Sequence, residues 1–288
     1  MNEQTTSSDT YFVQDRSNLE ELTRVQVQDQ MMTAGMGGVL PEQPAPTIFG
    51  RVLDVACGTG GWLIEAAKTY PSMSLLIGVD VNSKMIAYAY AQAAAQGVGD
   101  RVQFRVMDVL ATLDFPDISF DLVNQRFAAS FLHLQDWAKL LREYLRMARP
   151  GGVIRVTEGD WIASNTSPAL SRLMELLGQA FYQAGHSFTP GSRGVTGELA
   201  DLLQKAGLAN MQRRAHTQEF RAGTVSGQHF IEDMQLIFRT SVPFLRKWTS
   251  VPDDYELIYQ QALYEMHQPD FVATGSMLTV WGNKPIEK

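Results

Sequence analysis

The hydrophobic pattern of this chain alternates between short apolar runs and longer amphipathic segments. The first 156 residues contain four apolar runs, at 52–56, 75–79, 120–123 and 153–156, and one segment in which apolar residues alternate with polar ones, at 102–106. Amphipathic segments lie between them, for example from Trp137 to Ala148, with apolar residues three and four positions apart. Near-continuous apolar runs are typical of strands buried on both faces of a parallel sheet. The pattern therefore predicts an α/β fold.

The stretch from Arg51 to Trp62, RVLDVACGTGGW, predicts a strand, a tight turn and a helix. Its glycines at 58, 60 and 61 let the backbone turn sharply and approach a ligand, because they carry no β-carbon. Apolar residues at helical spacing follow from Leu63 to Tyr70, so the first amide groups of this helix point toward the ligand. This combination is typical of a nucleotide-binding βα unit.

Two residues argue against a dinucleotide as the ligand of this turn. The third glycine of the G-x-G-x-x-G fingerprint, which allows close packing of helix and strand, is replaced by Leu63. Asp54, at the end of the first strand, would repel a pyrophosphate but suits a ligand that bears an ammonium group.

The string DVACGTG at 54–60 resembles motif I of the class I S-adenosylmethionine (SAM) dependent methyltransferases, with Ala56 where glycine is usual. The sequence RPGG at 149–152 is similar to the turn that precedes the fifth strand of that family. The resemblance covers residues 51–158 and is nearest to the small-molecule branch of ubiquinone and menaquinone biosynthesis. It implies a Rossmann-like, seven-stranded, mostly parallel sheet with helices on both faces, and SAM as the cofactor.

The resemblance also implies which residues bind the cofactor. Asp80 would accept hydrogen bonds from the ribose hydroxyls, and Asp108 would accept one from the adenine amino group. The alternative for Asp108 is an acid that forms a turn at the end of its strand. Asn124 lacks the following prolines that mark the nucleic-acid amino and glutamine methyltransferases, so that branch is disfavoured. The predicted cofactor-binding residues of the core are Asp54, Ala56, Gly58, Gly60, Asp80, Val81, Met85, Asp108, Val109, Asn124, Gln125 and Arg126.

Residues 1–50 are predicted to form an N-terminal helical cap and a proline-rich linker. A capping box at Ser17 opens a helix that runs to about Thr33. Arg24 and Gln28 lie on one face of this helix and complete the predicted cofactor site. In similar methyltransferases such a helix closes over the cofactor, which would bring Arg24 to the methionine carboxylate. A solvated helix face is the alternative interpretation.

Residues 51–288 are predicted to form the SAM-binding core, with insertions at about 159–196 and 218–274. Both insertions follow strands and lie at the ligand-binding edge of the sheet. Their content of phenylalanine, methionine and tyrosine predicts a lid over an apolar substrate. Ordinary helix packing accounts for the same content and stays open as the alternative.

The composition of the chain limits the classes of molecule that it is expected to bind. The chain has 31 acidic and 24 basic residues and a net charge of −7, which argues against a nucleic-acid substrate. Its one cysteine, Cys57, excludes an internal disulfide and fits a reducing cytoplasm. No signal-peptide pattern and no apolar run of roughly 20 residues is present. We therefore expect a cytoplasmic monomer or homodimer that binds neither nucleic acid nor membranes.

In methyl transfer, side chains need only position the two substrates and remove a proton. Glu158 is the preferred candidate for a general base because it follows the fifth strand. His133 is the second candidate because an imidazole titrates near neutral pH. The alternatives are that Glu158 caps a loop or orients the cofactor, and that the acceptor needs no base. No metal-ligand spacing is present, so no metal is predicted.

These observations predict a SAM-dependent methyltransferase of a small, apolar or aromatic metabolite, as in natural-product biosynthesis. Oxygen, nitrogen and carbon all stay open as the methylated atom. A SAM-fold protein that catalyses another step, such as a cyclisation, is the first alternative, because fold does not fix function. A nicotinamide-dependent oxidoreductase is the second.

Overall fold

The computed structural model of the chain describes residues 19–190 and 194–286, and the predicted capping residue Ser17 lies outside them. The described strands are β1 Arg51–Val55, β2 Leu75–Asp80, β3 Val102–Val106, β4 Phe120–Arg126, β5 Ala148–Asn165, β6 Ala209–Arg221 and β7 Val272–Asn283. They form one sheet in the order β3-β2-β1-β4-β5-β7-β6. The first five strands run parallel, and β7 runs antiparallel to both of its neighbours. The predicted Rossmann-like, mostly parallel fold is confirmed.

Helices cover both faces of this sheet. The helices described are α1 Leu19–Met36, α2 Gly61–Thr69, α3 Ser83–Ala95, α4 Trp137–Met147, α5 Pro168–Gln183, α6 Leu199–Lys205, α7 Val225–Thr240, α8 Val242–Trp248 and α9 Tyr255–Met266. Trp62 of α2 shares a buried core with Val52, whereas Trp137 of α4 shares another with Leu53. Successive residues of a strand point to opposite faces, so these two cores lie on opposite sides of the sheet.

A third core is built from the helices that follow β5 and β6. It joins α5, α7, α8 and α9 to the buried side chains of Phe220 on β6 and Ala273 on β7. The apolar, helical pattern at 168–184 and 226–247 predicts α5, α7 and α8, but no such pattern indicates α9. Leu257 and Tyr264 of α9 are 73% and 64% exposed, so its apolar residues do not mark a single face.

Strand β5 extends further than the sequence pattern predicted. It runs to Asn165, and its last residue pairs with Ala273 of β7. The antiparallel partner supplies backbone hydrogen bonds beyond the point where the parallel strands end. Consequently β5 passes the predicted start of the first insertion at 159, and β6 passes the predicted start of the second at 218.

Helix α1 also runs past its predicted end at Thr33. Gly35 lies inside the helix, where a β-carbon would be 2.1 Å from the Gln218 side-chain oxygen. The helix ends at Gly37 and Gly38, which have φ of 88° and 118° and therefore leave the helical conformation. The close approach at Gly35 brings α1 onto β6 and across the edge of the sheet.

Candidate active site

The turn after β1 contains several left-handed backbone conformations. Gly58 and Gly60 have φ of 54° and 73°, and Ala56 has φ of 57° although it carries a β-carbon. A β-carbon on Gly60 would lie 2.6 Å from the Phe104 ring, so only glycine fits there. A β-carbon on Gly58 would meet nothing closer than Val25 at 3.4 Å. The turn is thus packed against the sheet at Gly60 and open to a ligand at Gly58.

A cavity of about 290 Å³ lies over this turn, at the carboxyl ends of the parallel strands. Ligands of open α/β sheets bind at this position. The predicted site residues that line the cavity are Arg24, Gln28, Asp54, Ala56, Gly58, Asp80, Val81, Met85, Val109, Arg126 and Glu158. The structure therefore brings together residues that are up to 134 positions apart between Arg24 and Glu158 (158 minus 24).

Asp80 stands at the end of β2, beside the open part of the turn. Its Oδ2 accepts a hydrogen bond from the Gly58 N–H at 3.0 Å, and its Oδ1 accepts one from the Asn82 N–H at 2.9 Å. These bonds hold the carboxylate at the cavity wall. The glycine turn after β1 lies between the carboxylates of Asp54 and Asp80. This arrangement fits a ligand that carries both hydroxyl groups and positive charge.

Five predicted site residues do not line the cavity, namely Gly60, Asp108, Asn124, Gln125 and His133. Asp108 accepts a hydrogen bond from the Leu110 N–H at 2.9 Å and forms the turn after β3. Asn124 and Gln125 are fully buried inside β4, whereas the sequence pattern ended that strand at Val123. The strand continues because β1 and β5 pair with it from both sides. Both side chains therefore lie beneath the site.

His133 lies beside α5 and away from the cavity wall. Its ring stacks on His186, with ring centroids 4.7 Å apart and an interplanar angle of 10°. Its Nδ1 is 3.5 Å from the Asp136 carboxylate, at the start of α4. His216 is buried on β6. Burial lowers the pKa of His216, and the nearby Arg214 lowers it further.

Helix α1 covers the cavity and is tied to α7 by a buried ion-pair cluster. Arg24 donates to Asp233 Oδ1 at 2.8 Å and to both oxygens of Glu21 at 2.8 Å. Gln28 Nε2 donates to Asp233 Oδ2 at 2.9 Å. The ion-paired side chains are at most 2% exposed. Arg24 thus faces two carboxylates of the protein itself, and Asp233 is the group on which α1 docks.

A second ion pair joins α1 to the end of β4. The Arg126 guanidinium forms an ion pair with Asp29 and donates to Thr33 Oγ1 at 3.0 Å. Its centre also lies 5.9 Å from the Trp62 ring centroid, within the range of a cation–π contact. The Asp29 carboxylate lies over Gly61, where a β-carbon would be 2.2 Å from Asp29 Oδ2. The glycine at the start of α2 therefore makes room for α1.

Glu158 lies at the cavity wall, but its carboxylate is hydrogen-bonded to the backbone of the loop that follows β4. Its carboxylate accepts hydrogen bonds from the N–H groups of Ala128 and Ala129, at 2.9 and 3.3 Å, and from Gln125 Nε2 at 3.0 Å. Burial raises the pKa of Glu158 to about 8, although these hydrogen bonds act in the opposite direction. The geometry favours the loop-capping interpretation, and a role as general base stays a prediction.

The rest of the cavity wall is mostly apolar. Its apolar side chains come mainly from α5, α7, β6 and β7, and they are Met32, Phe127, Phe131, Met174, Leu177, Phe220, Phe230, Met234, Ile237 and Met277. Met174, Phe230 and Met234 belong to the phenylalanine, methionine and tyrosine residues of the insertions that predict a lid, whereas the sequence pattern did not predict Asp233 or Gln218. Asp233 interrupts the apolar face of α7 three residues after Phe230. An acid on such a face was the available signal for a buried partner.

No group of three or more histidine, cysteine, aspartate or glutamate side chains in 19–190 and 194–286 is arranged to hold a metal ion. Among the helices described above, none is long and apolar enough to cross a membrane.

Comparison with known proteins identifies the family. Residues 52–152 match the sequence profile of a methyltransferase domain. The demethylmenaquinone methyltransferase of Lactiplantibacillus plantarum is 30% identical over 194 residues, which make up 62% of this chain and 77% of the relative. The ajmaline N-methyltransferase of Rauvolfia serpentina is 38% identical over 104 residues, which make up 36% of this chain and 34% of the relative.

A solved structure has the same fold over most of the chain. The phosphoethanolamine N-methyltransferase 2 of Haemonchus contortus, in complex with phosphomonomethylethanolamine and S-adenosylhomocysteine, superposes with a TM-score of 0.57. The match covers 98% of this chain and 61% of that chain at 17% identity, so it shows a shared fold.

The sheet, the glycine turn and the acidic cavity above it define a Rossmann-like nucleotide-binding enzyme. With the family match and the relatives, the assignment becomes specific. The chain belongs to the class I SAM-dependent methyltransferases of the small-molecule type, and SAM is its cofactor.

Proposed function

We propose that this enzyme transfers the methyl group of SAM to a small, apolar or aromatic metabolite. The observation that carries the proposal is the apolar cavity wall formed by α5, α7, β6 and β7. Small-molecule sites bury their ligands mainly against apolar side chains and use a few polar groups to orient them. When bound, SAM supplies an electrophilic methyl group whose bond to sulfur breaks as the acceptor atom bonds to the carbon.

The protein's part in this reaction is to bind, orient and exclude water. We assign the ribose hydroxyls to Asp80, the methionine ammonium to Asp54, and close backbone contact to Gly58. Helix α1 supplies Val25 and Gln28 to the same cavity and closes it from above. The cap formed by residues 1–50 and the lid formed by the helices after β5 and β6 are therefore proposed to enclose the two substrates.

The charged groups of the cavity favour a neutral or cationic acceptor over an anionic one. Of the described residues that line it, six are acids, namely Asp29, Asp54, Asp80, Glu158, Asp160 and Asp233. Two are arginines, and Arg24 and Arg126 neutralise Asp233 and Asp29 through ion pairs. Burial raises the pKa of Glu158 to about 8, so this acid is mostly protonated at neutral pH. The carboxylates that remain to face an acceptor are Asp54, Asp80 and Asp160. An acidic cavity raises the local concentration of cations and lowers that of anions.

The proposal is tested by label transfer. The protein is incubated with SAM that carries a trideuterated methyl group and with a metabolite extract of its host, and products are sought by mass spectrometry. We expect a product heavier than its acceptor by one trideuteromethyl group in place of a hydrogen. Turnover of a metabolite without transfer of the label would favour the alternative that the protein catalyses another step, such as a cyclisation.

A matched pair of variants on α7 tests the acceptor wall. Ile237 lines the cavity, whereas Val225 on the same helix is 74% exposed. We expect Ile237→Trp to fill the acceptor space and lower methyl transfer about tenfold or more, because the acceptor is displaced from the methyl group. SAM affinity should change little. Val225→Trp should leave both quantities unchanged, and equal activity of the two variants would contradict the placement of the acceptor.

A further inference from the structure

Three buried side chains on adjacent strands form a hydrogen-bonded row behind the glycine turn. Asn124 on β4 lies in register with Asp54 on β1, and Arg155 on β5 lies in register with Asn124. Arg155 Nη1 donates to Asn124 Oδ1 at 2.8 Å, and Asn124 Nδ2 donates to Asp54 Oδ1 at 2.7 Å. Asp54 is the member of this row that lines the cavity.

The far end of the row is neutralised by the linker that follows α1. Arg155 Nε donates to Glu42 Oε1 at 2.8 Å, and Nη2 donates to Oε2 at 3.4 Å. The two side chains are 0% and 1% exposed. Burial acts to raise the pKa of Glu42, but the Arg155 guanidinium holds that pKa below its usual value. The pair is therefore a buried ion pair, and removal of one partner alone would leave an uncompensated charge.

The chemistry of arginine dictates how the Asn124 amide is oriented. A guanidinium has N–H donors only, so the amide turns its oxygen toward Arg155 and its NH₂ group toward Asp54. A donor aimed at Asp54 favours the ionised carboxylate, whereas a reversed amide would favour the protonated acid. This orientation matters because burial raises the pKa of Asp54 to about 7. Near neutral pH, both protonation states of Asp54 are accessible.

We propose that Arg155 is a positioning residue that acts through Asn124 to keep Asp54 ionised, and thereby sets the affinity of the site for the ammonium group of SAM. The inference rests on the proposed binding of that ammonium by Asp54. Arg155 does not line the cavity, so its effect on the ligand passes through Asp54. Besides the hydrogen bond through Asn124, the Arg155 guanidinium lowers the pKa of Asp54 by direct attraction, as the weakest of the charges that act on this carboxyl group.

Other charged groups also act on this row. Arg126 on β4 lowers the pKa of Asp54, and Asp29 on α1 raises it. The Cys57 thiol and the Tyr144 hydroxyl interact electrostatically with Asp54. At the far end, His216 on β6 lies within electrostatic range of Glu42 and Arg155 and beside Arg214. All of these neighbours are kept in the variants below, so a change in the pH profile reports on the row.

The test measures the dissociation constant of SAM by calorimetry across a pH range centred on about 7, the pKa of Asp54. Glu42→Gln and Arg155→Met are combined in the full-length chain, because removing the pair together leaves no buried charge unpaired. We expect the midpoint of the affinity profile to rise by about one pH unit, as for loss of a hydrogen bond to a charged group. At pH 7 the ionised fraction of Asp54 then falls from about one half to about one tenth, so affinity should fall about fivefold.

Three further variants show whether the effect passes through the amide. Asn124→Leu should give the same shift, and adding it to the Glu42→Gln, Arg155→Met chain should produce no further shift, because groups acting in series are not additive. Arg155→Lys keeps a donor-only cation and should restore most of the wild-type profile. If the combined variant does not fold, as judged by circular dichroism, Asn124→Leu carries the test by itself.

Two controls separate this inference from the cofactor site on which it rests. Binding of 5′-methylthioadenosine, which lacks the ammonium group, should be unaffected by any change in the row. Asp54→Asn should remove the part of the pH dependence that comes from the protein and leave only the titration of the SAM ammonium group, at about pH 8. If Asp54→Asn leaves SAM binding unchanged, the proposed role of Asp54 fails and the inference with it. If Asp54→Asn removes the protein's part of the pH dependence but the Arg155 and Asn124 variants keep the wild-type midpoint, the cofactor site stands and the inference is overturned.

Discussion

At the scale of single residues, the geometry of the site depends on carboxylates that accept hydrogen bonds from backbone N–H groups. Asp80 accepts from Gly58 and therefore orders the turn as well as facing the ligand. Ala56 and Phe127 both line the cavity with φ near 57° and 58°, a conformation that disfavours residues with a β-carbon. Such backbone strain is concentrated at functional sites, where the surrounding structure enforces it.

The first prediction concerns Asp80. We expect Asp80→Ala to weaken SAM binding by about 2–3 kcal/mol, because charge-assisted hydrogen bonds to the ligand and to the turn are lost. Calorimetry measures the change. Asp100→Ala removes the same charge from an exposed turn and serves as the control. Equal weakening in both variants would mean that net charge, and not hydrogen bonding by Asp80, is responsible.

The second prediction concerns the two candidate bases. Glu158→Gln places an amide where three donors converge, so we expect a loss of stability of about 1–3 kcal/mol. His133→Asn should retain kcat within a few-fold, because His133 lies outside the cavity wall. Loss of a general base costs about 10²–10⁴ in rate. A fall of that size in Glu158→Gln with normal SAM affinity would establish Glu158 as the base.

At the scale of elements, α1 and α7 are joined more tightly than their separation in sequence indicates. Asp233 of α7 binds Arg24 and Gln28 of α1, and Arg126 of β4 binds Asp29. Tyr88 of α3 adds a hydrogen bond to Gln26. Helix α1 is therefore held by elements from three parts of the core, although it precedes the first strand of the sheet.

The third prediction tests α1 by deletion. Removal of residues 1–38 should leave a folded core, because the sheet begins at Arg51 and the charges that α1 covers become solvated. SAM retention and activity should be lost, because α1 supplies one wall of the cavity. Removal of residues 1–18 alone should preserve both. Full activity after the longer deletion would show that α1 is not part of the working site.

At the scale of the whole molecule, two buried carboxyl groups couple stability to pH. Burial raises the pKa of Asp54 to about 7 and that of Glu158 to about 8, both far above the values of exposed acids. Between the unfolded and folded pKa values the native chain holds protons that the unfolded chain releases. Stability conferred by these groups is therefore complete at low pH and is lost as pH rises through their folded pKa values.

The fourth prediction follows from this loss of stability as pH rises. We expect the free energy of unfolding to fall between about pH 5 and pH 8, by up to about 1.4 kcal/mol per pH unit for each group. Urea unfolding at several pH values measures it. The combined Asp54→Asn and Glu158→Gln chain should show a flatter profile. A stability that rises across this range in the wild type would contradict the raised pKa values of the two groups.

The sequence by itself determined the fold class, the family and the glycine turn, because these depend on residues that are neighbours along the chain. The glycine motif consists of a buried strand, an acid and three glycines, and it can be recognised without the rest of the molecule. The same locality explains why Asp54, Gly58 and Asp80 were predicted and found at the cavity. Strands β1 to β4 likewise lie close to their predicted positions, since each of them is indicated by apolar residues that are near neighbours along the chain.

Only the tertiary structure decided which side chains meet across the sheet and across the cavity. The Asp54, Asn124 and Arg155 row depends on the register of three strands, and the Arg24 and Asp233 pair joins residues 209 positions apart. The length of β5 depends on β7, which lies more than a hundred residues later. Apolar periodicity carries no information on register or on distant partners, because it reports only which face of an element is buried.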